Sequence, residues 1–178
     1  MEKQKRQQQE LSSFTIVILW AVIQAFGWAI IFLLADNMTS GYVSGASRLI
    51  IIGFVGLLGG GLMGALQHTL IDRGAGISLS NWLTLSAIGS AIGFAVMESV
   101  PSGEFPLYIA VMPIFVIPAM FQWVSIRQHT RAGLLWVGAH VITTIVFMMF
   151  YEALLPQFDY DILMFVIPAA LQGLSLDL

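Results

Sequence analysis

Six polar side chains stand at matched places in an otherwise apolar chain. Gln24, Ser86 and His140 each follow a tryptophan (Trp20, Trp82, Trp136) by four residues, and Gln67, Gln122 and Gln172 each close an apolar run. Amides, a hydroxyl and a neutral imidazole all donate and accept hydrogen bonds. Such a set has two uses in a low-dielectric setting. It can bond across helices and fix their register, or converge on a pocket for a lipid head group, a pigment or a translocated solute. His140 adds ligand chemistry, since an imidazole can bind haem iron or chlorin magnesium, or relay a proton. Bis-histidine haem needs two buried rings facing each other, and His68 and His129 fall at span ends. Gln and Ser at the positions equivalent to His140 favour a hydrogen-bonding role for it. A second recurring set is acidic: Asp36, Glu98 and Glu152 each lie sixteen residues after the same tryptophans. Rings of carboxylates collect cations at channel mouths. The same charges can instead dock a basic partner or end helices in water, where they oppose the helix macrodipole.

Other chemistry is excluded by what the chain lacks. With no cysteine among 178 residues, it has no thiolate metal site, iron–sulfur cluster, cysteine nucleophile or c-type haem attachment. Its lysines, Lys3 and Lys5, precede every apolar segment, which removes Schiff-base and P-loop chemistry. No HExxH, GxSxG or GxGD occurs, and only His140 is an ionisable group well inside a span, the usual mark of proton or ion coupling. A net charge of -3 rules against nucleic acid, whose phosphates demand clustered Lys and Arg. The expectation is a protein that is not an enzyme.

The elements that must position these residues are membrane helices. Hydrophobic residues make up 58% of the chain and charged ones 10%, with a mean hydropathy of +0.87. A soluble domain carries about a quarter charged residues. A bilayer core needs roughly 20 apolar residues per helix, and six such stretches run approximately 14–35, 47–70, 81–98, 106–126, 133–155 and 160–176. The predicted fold is all-α, a polytopic bundle of six transmembrane helices: one transmembrane domain over 14–178, after a polar tail over 1–13. A Gln run and Glu10 in that tail, with no small-residue cleavage site beyond it, do not read as a cleaved signal peptide. Lys3, Lys5, Arg6, Arg73, Arg127 and Arg131 fall on one side and only Arg48 on the other. The positive-inside rule then puts both termini in the cytoplasm of a bacterial inner or photosynthetic membrane. Trp20, Trp82, Trp136 and Trp123 read as interfacial anchors, with Trp28 deeper.

The spans repeat. FVIPAMFQ over 115–122 matches FVIPAALQ over 165–172 at six of eight positions, and GGLMGALQ over 60–67 is a diverged copy. In the odd-numbered spans the residue seven after each Trp is small (Gly27, Gly89, Thr143), and the acid comes sixteen after. The unit is a helical hairpin, in three parallel-oriented copies at about 14–70, 81–126 and 133–176. At about 100° per residue, offsets 0, 4, 7 and 11 share one face. Each odd helix therefore carries a packing stripe of Trp, a polar residue and a small one, running on to Ile31, Gly93 and Phe147. The acid lies about 160° away and roughly 24 Å further along the axis. Gly56, Gly60 and Gly64 form overlapping GxxxG steps, Gly89 and Gly93 add one, and Pro113, Pro118 and Pro168 interrupt the even helices.

The pattern Trp–x6–Gly, followed by Gly or Pro, then Gln and a charge, spans Trp82 to Gly89, Gln67 to Arg73 and Gln122 to Arg127. It resembles uncharacterised polytopic membrane proteins of cyanobacteria and phototrophic Chloroflexi. The resemblance covers most of the chain, implies a phototrophic source and carries no activity. The third copy departs from it, with Asp177 where Arg73 and Arg127 stand. The leading functional expectation is a non-catalytic integral subunit, or an assembly or stabilising factor, of a larger membrane complex of photosynthetic or respiratory type. Its partners are membrane lipids and other integral subunits or further copies of itself, with bound lipid and no predicted cofactor. The alternatives are a small solute channel or carrier using the outer acids, and a pigment- or haem-binding protein using His140.

Overall fold

The computed structural model describes residues 13–39, 45–75, 79, 81–101, 105–127, 129 and 133–154. They form five α-helices: α1 (Ser13–Thr39), α2 (Ala46–Ala75), α3 (Trp82–Ser99), α4 (Leu107–Ile126) and α5 (Gly133–Leu154). Four are long and apolar enough to cross a membrane, over Ile18–Thr39, Ala46–Asp72, Trp82–Ser99 and Ile109–Ile126. The chain is thus a multi-pass, all-helical integral membrane protein. α5 carries a shorter apolar stretch, Leu134–Val146. The expected sixth span, 160–176, with Gln172, lies outside the described residues, as does the tail to residue 12.

α1 and α2 extend past the apolar windows 14–35 and 47–70. Near the end of α1, Asn37 Nδ2 donates to the Leu33 carbonyl and Thr39 Oγ1 to that of Ala35, and in α2 Thr69 Oγ1 donates to the Ala65 carbonyl, so these polar side chains are satisfied on their own helices. α3 begins at Asn81, in the left-handed region at φ 66°. Asn accepts that conformation more readily than most residues, and the turn delivers Trp82 directly into the bundle.

The bundle is inverted relative to a soluble protein. Phe26, Ile50, Leu134 and Ile142 are each more than three-fifths exposed, while Gln24, Gln67, Gln122, His140 and Thr144 are buried. Lipid solvates apolar side chains as well as a protein core does, so burial alone gives the helices little reason to associate. Polar groups must find partners inside.

Helices pack in chain order: α1 on α2, α2 on α3 (the most extensive interface), α3 on α4, and α4 on α5. Small residues set the approach. A Cβ on Gly56 would come within 2.8 Å of the Ser90 carbonyl oxygen, and one on Gly60 within 2.7 Å of the Ser86 carbonyl oxygen. On the far side of α3, a Cβ on Gly93 would come within 2.7 Å of the Pro113 carbonyl oxygen, and one on Gly89 within 2.7 Å of Pro118 Cα. Pro113 and Pro118 both sit inside α4, so α3 packs its glycines against the proline-bearing helix. Gly27 of α1 meets Met63 of α2 in the same way, at 2.6 Å from Met63 Cγ.

The obstacles at Gly93 are all backbone atoms, and those at Gly60 are the Ser90 side chain and the Ser86 carbonyl oxygen, which cannot rotate away. Gly60→Ala and Gly93→Ala are expected to destabilise the bundle by about 1–3 kcal/mol, beyond the small gain in helix propensity. Gly138→Ala, where a Cβ meets nothing within 4 Å, is expected to be neutral or to stabilise by up to about 1 kcal/mol. Unfolding in mixed detergent micelles separates the two classes.

Candidate functional site

The five described members of the polar set come together. Gln24 of α1, Gln67 of α2, Ser86 of α3, Gln122 of α4 and His140 of α5 all line one cavity of about 30 Å³, with Ser90 as a sixth polar residue. Its apolar wall includes Trp28, Met63, Ile114, Phe115 and Pro118. No Asp, Glu, Lys or Arg is among the described lining residues.

The centre of the site is a crossing of three helices. Gln122 Nε2 donates to Gln67 Oε1 at 3.0 Å and to Ser86 Oγ at 2.9 Å. Trp82 Nε1 donates to the same Gln67 oxygen at 3.3 Å. A side-chain amide has two N–H donors and a carbonyl with two lone pairs. Both donors of Gln122 and both acceptor positions of Gln67 are therefore engaged, and α2, α3 and α4 are joined at one point.

His140 is tied to its own helix. Its Nδ1 lies 2.8 Å from the Trp136 carbonyl oxygen, which can only accept, so Nδ1 carries the proton and Nε2 the lone pair. Thr144 Oγ1 donates to the His140 carbonyl at 2.6 Å. An oriented imidazole of this kind resembles the ligand geometry of metal sites.

The repeat tryptophans are packed between helices: Trp20, Trp82 and Trp136 are buried, as is Trp28, the one expected to lie deeper. Trp136 meets Trp20 edge-on at 5.6 Å between ring centroids and Trp82 at 6.1 Å. Trp28 packs on Phe94 and Phe115. Lipid offers an indole no advantage over a protein interior except at the head groups, and edge-to-face contacts add to the packing of three bulky rings. The indole N–H groups of Trp20 and Trp136, and Gln24 Oε1, are buried with no hydrogen-bond partner. Trp123 is half-buried, and the Arg127 guanidinium stands over its ring at 5.5 Å.

Of the acidic set, Glu98 forms an ion pair with Arg48. Glu98 lies in the last turn of α3 and Arg48 in the first turn of α2, so each alone opposes its helix dipole. Together they offset that penalty. The side chains of Asp36 and Glu152 lie outside the described set.

Sequence reasoning passed over Ser90 and Thr144, and marked Trp28 only as a deeper tryptophan. All three are buried, and all three stand eight residues after a repeat tryptophan. Their types differ, so no motif marked them, although spacing of four from Gln24, Ser86 and His140 puts each on the same helix face. Comparison with protein-family models, curated proteins and solved structures finds no match to this chain.

A double-mutant cycle tests the crossing. Gln122→Leu and Gln67→Leu should each cost about 1–3 kcal/mol, because each leaves buried polar partners unmatched. The double variant should lose less than the sum by about 0.5–1 kcal/mol. Additive losses would mean that the two amides are not coupled.

Proposed function

We propose that this protein is a non-catalytic integral subunit, or an assembly or stabilising factor, of a larger membrane complex. The observation that carries this reading is the amide crossing: Gln122 and Gln67 use their hydrogen bonds on each other, on Ser86 and on Trp82. Groups committed in that way fix helix register and are not held open for a substrate. The Arg48–Glu98 pair supports the same reading, since it neutralises a carboxylate that a cation-collecting mouth would need.

We also infer the finer architecture of six spans in three parallel hairpins, with both termini cytoplasmic. Matched contacts in the first two hairpins support it. Gly27 packs on Met63 and Gly89 on Pro118, and each partner stands four residues before its helix's Gln. Ile31 packs on Gly59, while in the next hairpin Gly93 packs on Ile114. The large and small members trade sides at an equivalent crossing. The repeat tryptophans of all three copies, Trp20, Trp82 and Trp136, gather in one apolar cluster.

On this architecture, 160–176 closes the bundle between α5 and α1. A Cβ on Gly64 of α2 would lie 3.3 Å from Leu83 Cα of α3, and the equivalent residues across the closing seam are Ala169 and Ala21. The chain has no native cysteine, so Ala21→Cys with Ala169→Cys is expected to form an intramolecular disulfide in native membranes. Ala119→Cys with Val137→Cys serves as the reference pair across α4 and α5. A crosslinked dimer, or no crosslink where the reference pair reacts, would remove the closed ring.

Mild detergent extraction of the tagged chain from its native membrane is expected to recover a stoichiometric integral membrane partner. A chain that purifies alone and conducts ions in liposomes, with conductance lost on neutralising Asp36, Glu98 and Glu152, would replace the subunit with a channel. A visible absorbance band lost on His140→Ala would replace it with a pigment carrier.

A further inference from the structure

We propose that the cavity between the helices is a binding site for water, one or two molecules of which link Gln24 of α1 to the amide crossing of α2, α3 and α4. Gln24 is 4% exposed, it lines the cavity, and its Oε1 has no hydrogen-bond partner. A buried carbonyl oxygen without a donor is costly, more so in a bilayer, where solvent cannot reach it. The cavity of about 30 Å³ exceeds the roughly 10–15 Å³ that one water needs. One or two waters fill a space of that size. A buried water also needs two to four polar partners, and Ser90, Gln122 and His140 line the same cavity as Gln24. The lining carries no charged side chain among the described residues, so the occupant is neutral and is held by donors and acceptors in balance. Water donates to Gln24 Oε1 and completes its bonds on the hydroxyl, amide or imidazole groups opposite. α1, whose only extensive packing among the described helices is on α2, then acquires a polar connection to the centre of the bundle.

Two readouts on the full chain in lipid bilayers test this. The first is water-edited solid-state NMR on protein labelled at glutamine side-chain nitrogens, with the Gln24 signal identified by its loss in Gln24→Met. Polarisation is expected to pass from water protons to the Gln24 amide several-fold faster than to buried backbone amides of α3. The second is thermal unfolding of Gln24→Met, which keeps the side chain's length and removes its acceptor. Loss of a water-bonded oxygen lowers the melting temperature, whereas loss of a dry, unsatisfied oxygen raises it or leaves it unchanged. Transfer no faster than at the backbone amides overturns the proposal, and so does a Met variant at least as stable as the native chain. If the variant does not fold, uniformly labelled wild type decides through the same transfer, with Gln24 assigned from backbone connectivity.

Discussion

The structure depends on a rule that lipid imposes: a polar group inside the bundle must find its partner there. At the crossing of α2, α3 and α4, one amide supplies both donors and another accepts twice, so Gln122, Gln67, Ser86 and Trp82 form one connected unit. Each such bond is worth only about 0.6 kcal/mol in a membrane. Its directional value is larger, because a slip of one residue along any of the three helices breaks the donor–acceptor match. Register follows from that. The apolar exterior, from Phe26 to Ile142, cannot set it, since every rotation of a Leu- and Ile-rich helix is equally acceptable to lipid.

Close packing supplies what the hydrogen bonds leave undone. The α2–α3 interface is built from glycines on one helix and serines on the other, so their backbones approach near the crossing, and this brings Ser86 within reach of Gln122. The α3–α4 interface uses Gly89 and Gly93 against Pro118 and Pro113. A proline withdraws an amide hydrogen bond from its helix, and an approaching glycine offers no side chain to obstruct the exposed backbone. Exchange of large and small residues between Ile31–Gly59 and Gly93–Ile114 keeps the summed volume of the crossing while reversing which helix provides it. Conserved volume with reversed roles is what packing density demands. It also explains why residue identity at these positions blurs a repeat that their spacing preserves.

Five of the expected spans stand within a few residues of described helices, because a bilayer fixes span length and hydrophobicity reports it directly. Gln24, Gln67, Ser86, Gln122 and His140 were marked by type and spacing, and they meet because helical periodicity puts each on its packing stripe. That Trp20, Trp82 and Trp136 are buried between helices was not legible, since composition cannot tell an exposed indole from one wedged between helices. Ser90 and Thr144 escaped notice because the first copy carries Trp28 at the equivalent position, so no shared chemistry marks it. The partnership of Arg48 with Glu98 joins residues fifty apart in sequence, and no local pattern announces it.

Arg48 also shows how the few charges are arranged. It is the one basic residue that breaks the sidedness of the others, and it meets the carboxylate of Glu98 at the end of α3 opposite the amide crossing. An exposed pair of this kind contributes at most about 1 kcal/mol. Its greater effect is to neutralise an arginine in the first turn of α2 against a fixed partner on α3. The α2–α3 interface is thus pinned at both ends by different means, an ion pair at the rim and neutral amides where water is scarce. Strength of solvation dictates that division. Charges remain where water or head groups can reach them, and groups that need no ionisation hold the interior.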